Sequence, residues 1–347
     1  MMSQSTIGAS GSIAVLGAGS WGTALAIQLA RAGATVKLWG RDTEALAQMR
    51  KAGVNERYLP EAKFPESLLA EPDWERCLTD VGLVLISVPS HGFRPVLQRL
   101  QDDSPIDVLQ TGLCWATKGL EMSTGLLPHQ VVHQVIPNHT HYAVLSGPTF
   151  AKEVGLDLPT AITVAASNEP FGDVLCQRLG SERFMAYSSN DIIGVEVGGA
   201  VKNVLAIGAG MSDGLGFGAN ARVALINRGL RELTRLGVAM GAEQTTFMGL
   251  AGMGDLVLTC TDNLSRNRRM GMALATGASV DEAAKEIQQV VEGVPAAKAV
   301  FEKAESLQVS MPIVEQIYRV LHEGKPVQQA VRDLLARARG QDTAGVG

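Results

Sequence analysis

The sequence predicts an α/β fold, a doubly wound sheet over its first half followed by an all-helical second half. Three observations carry this. Ile13-Ala14-Val15-Leu16 is a short apolar run, followed by a glycine-rich turn and then by the helix-like segment TALAIQLARAG. Val81 to Val88, VGLVLISV, is almost continuously apolar, as a parallel strand covered on both faces requires. From Asp191 onward apolar residues recur only at helical spacing, broken by glycine clusters.

The first turn reads Gly17-Ala18-Gly19-Ser20-Trp21-Gly22, which fits G-x-G-x-x-G between a strand and a helix. Gly17 permits the tight turn and Gly19 lets a pyrophosphate approach the backbone. Gly22 lets the helix pack closely, with its N-terminal N–H groups facing the phosphates. That context makes the first half a Rossmann-like dinucleotide-binding domain, although an ordinary strand–helix turn has the same outline. The second strand, 35–39, runs into Gly40-Arg41-Asp42. An NAD site usually places a carboxylate there, whereas Arg41 can meet a 2′-phosphate. Arg41 therefore favours NADP, Asp42 keeps NAD open, and a solvated loop arginine is the plain alternative.

A helix is expected over 42–51, and 52–80 shows no clear pattern. After 81–88, Pro89-Ser90-His91 leads into a helix starting near Gly92. Further strands are expected over 107–116, 141–145, 160–166 and 184–187, with a helix over 126–135. The strand at 107–116 runs into Thr117-Lys118-Gly119, and the one at 141–145 into Ser146-Gly147-Pro148-Thr149. Asp191 caps a long helix through Lys202. Helices follow over 221–236, 265–275, 279–287, 295–307, 312–322 and 326–336. The expected division is a dinucleotide-binding domain at 1–190, a helical substrate-binding and catalytic domain at 191–340, and a disordered tail at 341–347.

The 347 residues suffice for two domains, and 46% hydrophobic against 19% charged residues gives an ample core. A formal net charge of −5 argues against nucleic acid or an anionic membrane as partner. The start, MMSQSTIGASGS, has neither the basic nor the apolar region of a signal peptide, and no apolar run suggests a membrane span. Cys77, Cys114, Cys176 and Cys260 show no CxxC spacing, as expected of reduced cysteines in a cytoplasmic protein.

Three clusters in the second half carry chemistry. Lys202 lies among Gly198, Gly199, Ala200 and Val201. Most lysines are solvated, but one held among small residues can have a lowered pKa and exchange protons. Gly249 to Gly254 delivers the carboxylate of Asp255, which by itself reads first as a loop with a capping acid. Ser265-Arg266-Asn267-Arg268-Arg269 opens a helix with a serine cap and cations, a good phosphate site or else a solvated basic face. His129-x-x-x-His133 and His139-x-His141 have metal-compatible spacing but no matching carboxylate or cysteine, so no metal is expected.

The segments GAGSWGTALA, ISVPSH, WATKGLE, SGPTFAKEV, GVEVGGAVKNVLAIGAG, GLAGMGDLVLTCTDNLSRNRRMG and VVEGV, between residues 13 and 293, occur together in this order. In them the chain closely resembles the soluble NAD(P)-dependent glycerol-3-phosphate dehydrogenases of bacterial type. The resemblance implies interconversion of dihydroxyacetone phosphate and sn-glycerol 3-phosphate with NADP(H) or NAD(H), supplying the backbone for phospholipid synthesis. It implies that Ser20, Trp21 and Arg41 contact the dinucleotide, with Lys118 touching both cofactor and substrate. Gly147 and Thr149 would contact the substrate, and Ala151 the cofactor. Lys202 would exchange the proton, and Asp255 would hold the substrate or the lysine. Ser265, Arg266 and Asn267 would bind the glycerol phosphate, Arg266 also reaching the cofactor, while Glu292 and Val290 would close the nicotinamide side. A homodimer would be common for such an enzyme. Two other readings compete: a hydroxyacid or ketopantoate-type reductase, which would leave Ser265 to Asn267 unused, and a non-catalytic dinucleotide sensor, which needs neither lysine.

Overall fold

Strand β1 (Ser12–Leu16) forms where the sequence places its first apolar run, and its four apolar residues are fully buried. The computed structural model describes residues 7–337, so the tail at 341–347 lies outside the described residues. Gly17 ends β1 at a φ of +124°, and a Cβ there would stand 2.2 Å from the Ser87 carbonyl oxygen. Helix α1 (Ser20–Arg31) follows, then β2 (Val36–Trp39) and α2 (Thr43–Ala52).

The patternless stretch holds a small hairpin of β3 (Val54–Asn55) and β4 (Leu59–Lys63), then β5 (Leu68–Ala70) and α3 (Trp74–Leu78). Elements of two to five residues repeat neither period often enough to be recognised. β6 (Val81–Ile86) and α4 (Ser90–Asp102) come next. The strand expected over 107–116 is shorter than that. Asp107 accepts the Leu109 N–H at 3.0 Å and sets one 3-10 turn before β7 (Gly112–Trp115). The helix expected from 126 begins later, as α5 (Pro128–Val135), since proline suits a first helical turn. β8 (Tyr142–Ser146), α6 (Ala151–Gly155), β9 (Thr160–Ala166), α7 (Glu169–Leu179) and β10 (Phe184–Ser189) complete the α/β part.

The strand order is β5-β2-β1-β6-β7-β8-β9-β10. The first six strands are parallel and reverse their winding between β1 and β6, where a doubly wound sheet binds its ligand. β9 is antiparallel to β8 and parallel to β10.

Asp191 starts α8 (Ile192–Gly214) by accepting the Gly194 N–H at 2.8 Å. α9 (Gly218–Ala239), α10 (Asp255–Thr261), α11 (Arg266–Ala275), α13 (Gly293–Ser306) and α14 (Pro312–His322) pack around it, with α12 (Val280–Ile287) against α11 and α15 (Val327–Arg337) against α14. Ser265 and Ser279 cap α11 and α12 from outside, which is why each helix starts one residue later than its expected span. One apolar core lies on each face of the sheet, and a third fills the helical part around α8. Ile192 and Val195 belong to a sheet core, while Val197 onward belongs to the helical one. Among the described residues α8 is the one helix long and apolar enough to cross a membrane, and 94% of its apolar window is buried within the protein.

Candidate active site

The glycine turn meets the sheet as its spacing demands. A Cβ at Gly22 would stand 1.8 Å from the Gly17 carbonyl oxygen, whereas one at Gly19 would meet nothing within 4 Å. Gly19 therefore presents open backbone at the helix N-terminus. The Trp21 indole nitrogen is buried and has no hydrogen-bond partner. Open backbone and an orphaned donor both fit a dinucleotide. Tyr58, from the β3–β4 hairpin, and Ala151 pack on the same apolar core as Trp21.

Arg41 is exposed beyond β2, with no hydrogen bond or ion pair among the described residues. Asp42 is engaged: its carboxylate accepts the Ala45 N–H at 2.9 Å and caps α2. The acid that kept an NAD-type contact open is thus occupied locally, and Arg41 is the free group at this edge.

The candidate catalytic side chains gather around Asp255, which has no exposed surface. A π-helical turn, Leu250–Gly254, delivers it to the start of α10. Lys118, beyond β7, donates to Asp255 Oδ2 at 2.7 Å. Lys202, from α8, donates to Asp255 Oδ1 at 2.5 Å and to Thr259 Oγ1 at 3.0 Å. One carboxylate thus joins lysines from the two halves of the chain. Burial pushes the Lys202 ammonium down to about 7; Asp255 opposes this, and the charge of Lys118 adds to it. Burial alone would raise the Asp255 carboxyl, yet the two lysines hold it below its ordinary value.

The small residues around Lys202 serve packing rather than open space. A Cβ at Gly198 would stand 2.4 Å from the Ala251 carbonyl oxygen, and one at Gly199 would stand 3.3 Å from Lys118 Cδ. They let the π-helical turn and the Lys118 stem lie directly against α8. The Gly147–Thr149 loop adjoins this centre, since a Cβ at Gly254 would meet Pro148 at 3.6 Å. Thr149 Oγ1 donates to the Gly147 carbonyl at 3.2 Å.

The helix opening at Ser265 is a closely hydrogen-bonded cluster. Ser265 Oγ accepts the Arg268 N–H at 3.2 Å. Asn267 donates to Asn203 Oδ1 at 2.9 Å and accepts the Gly293 N–H at 2.9 Å. Arg268 is turned inward to Asp213, its Nη2 donating at 2.6 Å, so it is withdrawn from any ligand. Arg266 is half-buried with no hydrogen bond or ion pair among the described residues. Burial lowers its pKa, opposed by Glu292, while neighbouring Arg269 lowers it further. Glu292 accepts from Ser90 Oγ at 3.4 Å, which links this site to the β6 end of the sheet. Val290 stands exposed nearby in sequence.

Thr259, Asn203, Ser90 and Tyr58 escaped the sequence analysis. Thr259 lies one helical turn after Asp255, and Asn203 directly follows Lys202, so both were within reach of a spacing argument. His129 and His133 are engaged with Glu196 and Tyr142, at 2.5 and 2.8 Å. All four cysteines are free thiols.

Two sequence profiles match the chain. The N-terminal profile of the NAD-dependent glycerol-3-phosphate dehydrogenases covers residues 12–171, and the C-terminal one covers 191–332. The chain belongs to this family. The glycerol-3-phosphate dehydrogenase [NAD(P)+] of Vibrio cholerae is 53% identical over 324 residues, 93% of either chain. The crystal structure of glycerol-3-phosphate dehydrogenase from Coxiella burnetii superposes with a TM-score of 0.90 at 46% identity, covering 94% of this chain and 99% of that one. A 2-dehydropantoate 2-reductase of Geobacter metallireducens, 13% identical with a TM-score of 0.58 over 90% of this chain and 100% of that one, shares the fold alone. The protein is accordingly an NAD(P)-dependent oxidoreductase that interconverts glycerol 3-phosphate and dihydroxyacetone phosphate.

Proposed function

We propose that Lys202 takes the hydroxyl proton when glycerol 3-phosphate is oxidised and returns it to the C2 oxygen in reduction. The observation that carries this is the Lys118–Asp255–Lys202 bridge with Lys202 buried, a burial that pushes its ammonium down to about 7. A proton acceptor works best when its pKa lies near the working pH. Lys118 steadies the oxygen through its charge, and Asp255 keeps both ammonium groups in place. The nicotinamide, when bound, supplies or accepts the hydride.

Gly17, Gly19, Ser20, Trp21 and Gly22 would hold the pyrophosphate side, Arg41 the 2′-phosphate, and Ala151, Val290 and Glu292 the remaining cofactor contacts. Ser265, Arg266 and Asn267 would bind the substrate phosphate at the start of α11, with Gly147 and Thr149 beside the glycerol carbons. Such an anchor, remote from C2, directs binding energy into orientation at the reacting carbon. The functional division at 190/191 belongs to the same proposal and is supported by β10 ending at Ser189 before α8 begins. A cytoplasmic homodimer, acting in glycerophospholipid synthesis, is the setting this role suits. Oxidation of NADPH on adding dihydroxyacetone phosphate, compared between wild type and Lys202→Met, tests the assignment. Unchanged turnover in the variant would overturn it.

A further inference from the structure

Lys118 and Lys202 come from different halves of the chain, and a second buried carboxylate fastens those halves together. Glu196 lies in α8, six residues before Lys202 and about 9 Å along the helix axis. Its Oε1 accepts the Trp115 indole N–H at 3.1 Å and the His129 backbone N–H at 2.9 Å. Its Oε2 meets His129 Nδ1 at 2.5 Å. Trp115 is the last residue of β7, three before Lys118.

The surroundings of Glu196 are the apolar core of Phe93, Trp115, Ile192 and Val195. Packing alone asks for no carboxylate there. The bond from Trp115 adds what packing lacks, a fixed register between β7, which leads into Lys118, and the helix that carries Lys202, while the two bonds from His129 tie α5 to the same carboxylate. Gly199 brings the Lys118 stem against α8, so a shift of β7 along α8 passes straight to that side chain.

We propose that Glu196 is a positioning residue, holding β7 and α8 in register so that Lys118 and Lys202 reach opposite oxygens of Asp255. The claim rests on the proton role given to Lys202 above. The titratable groups facing Lys202 are Lys118 beyond β7 and Asp255 and Cys260 on α10. Those facing Glu196 are His129 on α5 and Tyr142 on β8. If β7 drifts, Lys202 loses the repulsion of Lys118 and keeps Asp255 to itself. Both changes raise its pKa, so the alkaline rise of glycerol 3-phosphate oxidation moves to higher pH.

The test is the pH profile of kcat for wild type, Glu196→Ala, Glu196→Gln and Trp115→Phe, with thermal midpoints measured alongside. Glu196→Ala should lower kcat about ten- to a hundredfold, the scale of a displaced reacting group. It should move the rise upward by about one pH unit and leave the KM for the dinucleotide unchanged. Glu196→Gln keeps an oxygen for Trp115 and His129 and should restore most of kcat and the wild-type profile. Trp115→Phe keeps the carboxylate but removes one bond, and should move the rise in the same direction. It carries the test if the alanine variant does not fold. A purely structural Glu196 would lower the amplitude and the thermal midpoint with the rise unmoved, and that result overturns the proposal. A wild-type profile with no rise near neutrality would count against the Lys202 role instead. The positioning role would then be decided by whether Glu196→Gln restores the kcat lost in Glu196→Ala at constant KM.

Discussion

Asn203 and Asn267 are joined side chain to side chain, the Asn267 amide donating to Asn203 Oδ1 at 2.9 Å. The bond ties the residue after Lys202 to the residue after Arg266, and so ties the proposed proton carrier to the proposed phosphate anchor. Removing either amide strands a buried partner, at about 1–3 kcal/mol. Asn203→Ala and Asn267→Ala should each lower kcat/KM for dihydroxyacetone phosphate, and the double variant should lose less than the sum. A double-mutant cycle with a coupling below about 0.3 kcal/mol would separate the two sites.

Lys202→Met should cost about 10²–10⁴-fold in turnover while NADPH still binds, since the glycine turn is untouched. In the wild type, oxidation needs the neutral amine, so its rate should climb as pH rises through about 7, the value to which burial pushes Lys202. Reduction needs the ammonium and should decline over the same interval. Steady-state rates from pH 5.5 to 9 in both directions check the sign, and parallel profiles would contradict it.

Arg266 has no ion pair among the described residues and sits at a helix N-terminus, ready for an anion. Arg266→Ala should raise the barrier for glycerol 3-phosphate by about 2–4 kcal/mol in kcat/KM. Glycerol, lacking the phosphate, should be a poor substrate of either enzyme and be little changed by the substitution. Normal kinetics of the variant with glycerol 3-phosphate would place the anchor elsewhere.

Arg41→Ala should raise the KM for NADPH far more than that for NADH. Asp42→Ala should leave the NADPH/NADH ratio unchanged and instead lower stability by about 1 kcal/mol, because its carboxylate caps α2. Equal effects of Arg41→Ala on both cofactors would remove it from the 2′-phosphate.

Much of this arrangement was legible because long elements repeat their period. α8 and α14 announce themselves by spacing, and β6 by its unbroken apolar run. The glycine turn carries its own geometry. Residues 52–80 were opaque because β5 has three residues and β4 exposes Pro60, Glu61 and Lys63. Within the site, Lys202 and Asp255 stood out by their glycine-rich neighbourhoods. Their meeting with Lys118 was legible only through the family resemblance, because a bridge across 137 residues leaves no local period. Thr259 and Asn203 were hidden differently: each is an ordinary helical residue until a neighbour's side chain is placed on it.

α8 is buried at its start in a core of the sheet and over the rest of its length in the helical core. A single uninterrupted helix shared in this way acts as a splint. The two halves cannot swing apart about a hinge at their junction without breaking its backbone ladder or emptying one core. Lys202 thereby keeps one fixed place relative to both cores, because the helix that bears it is rooted in each of them.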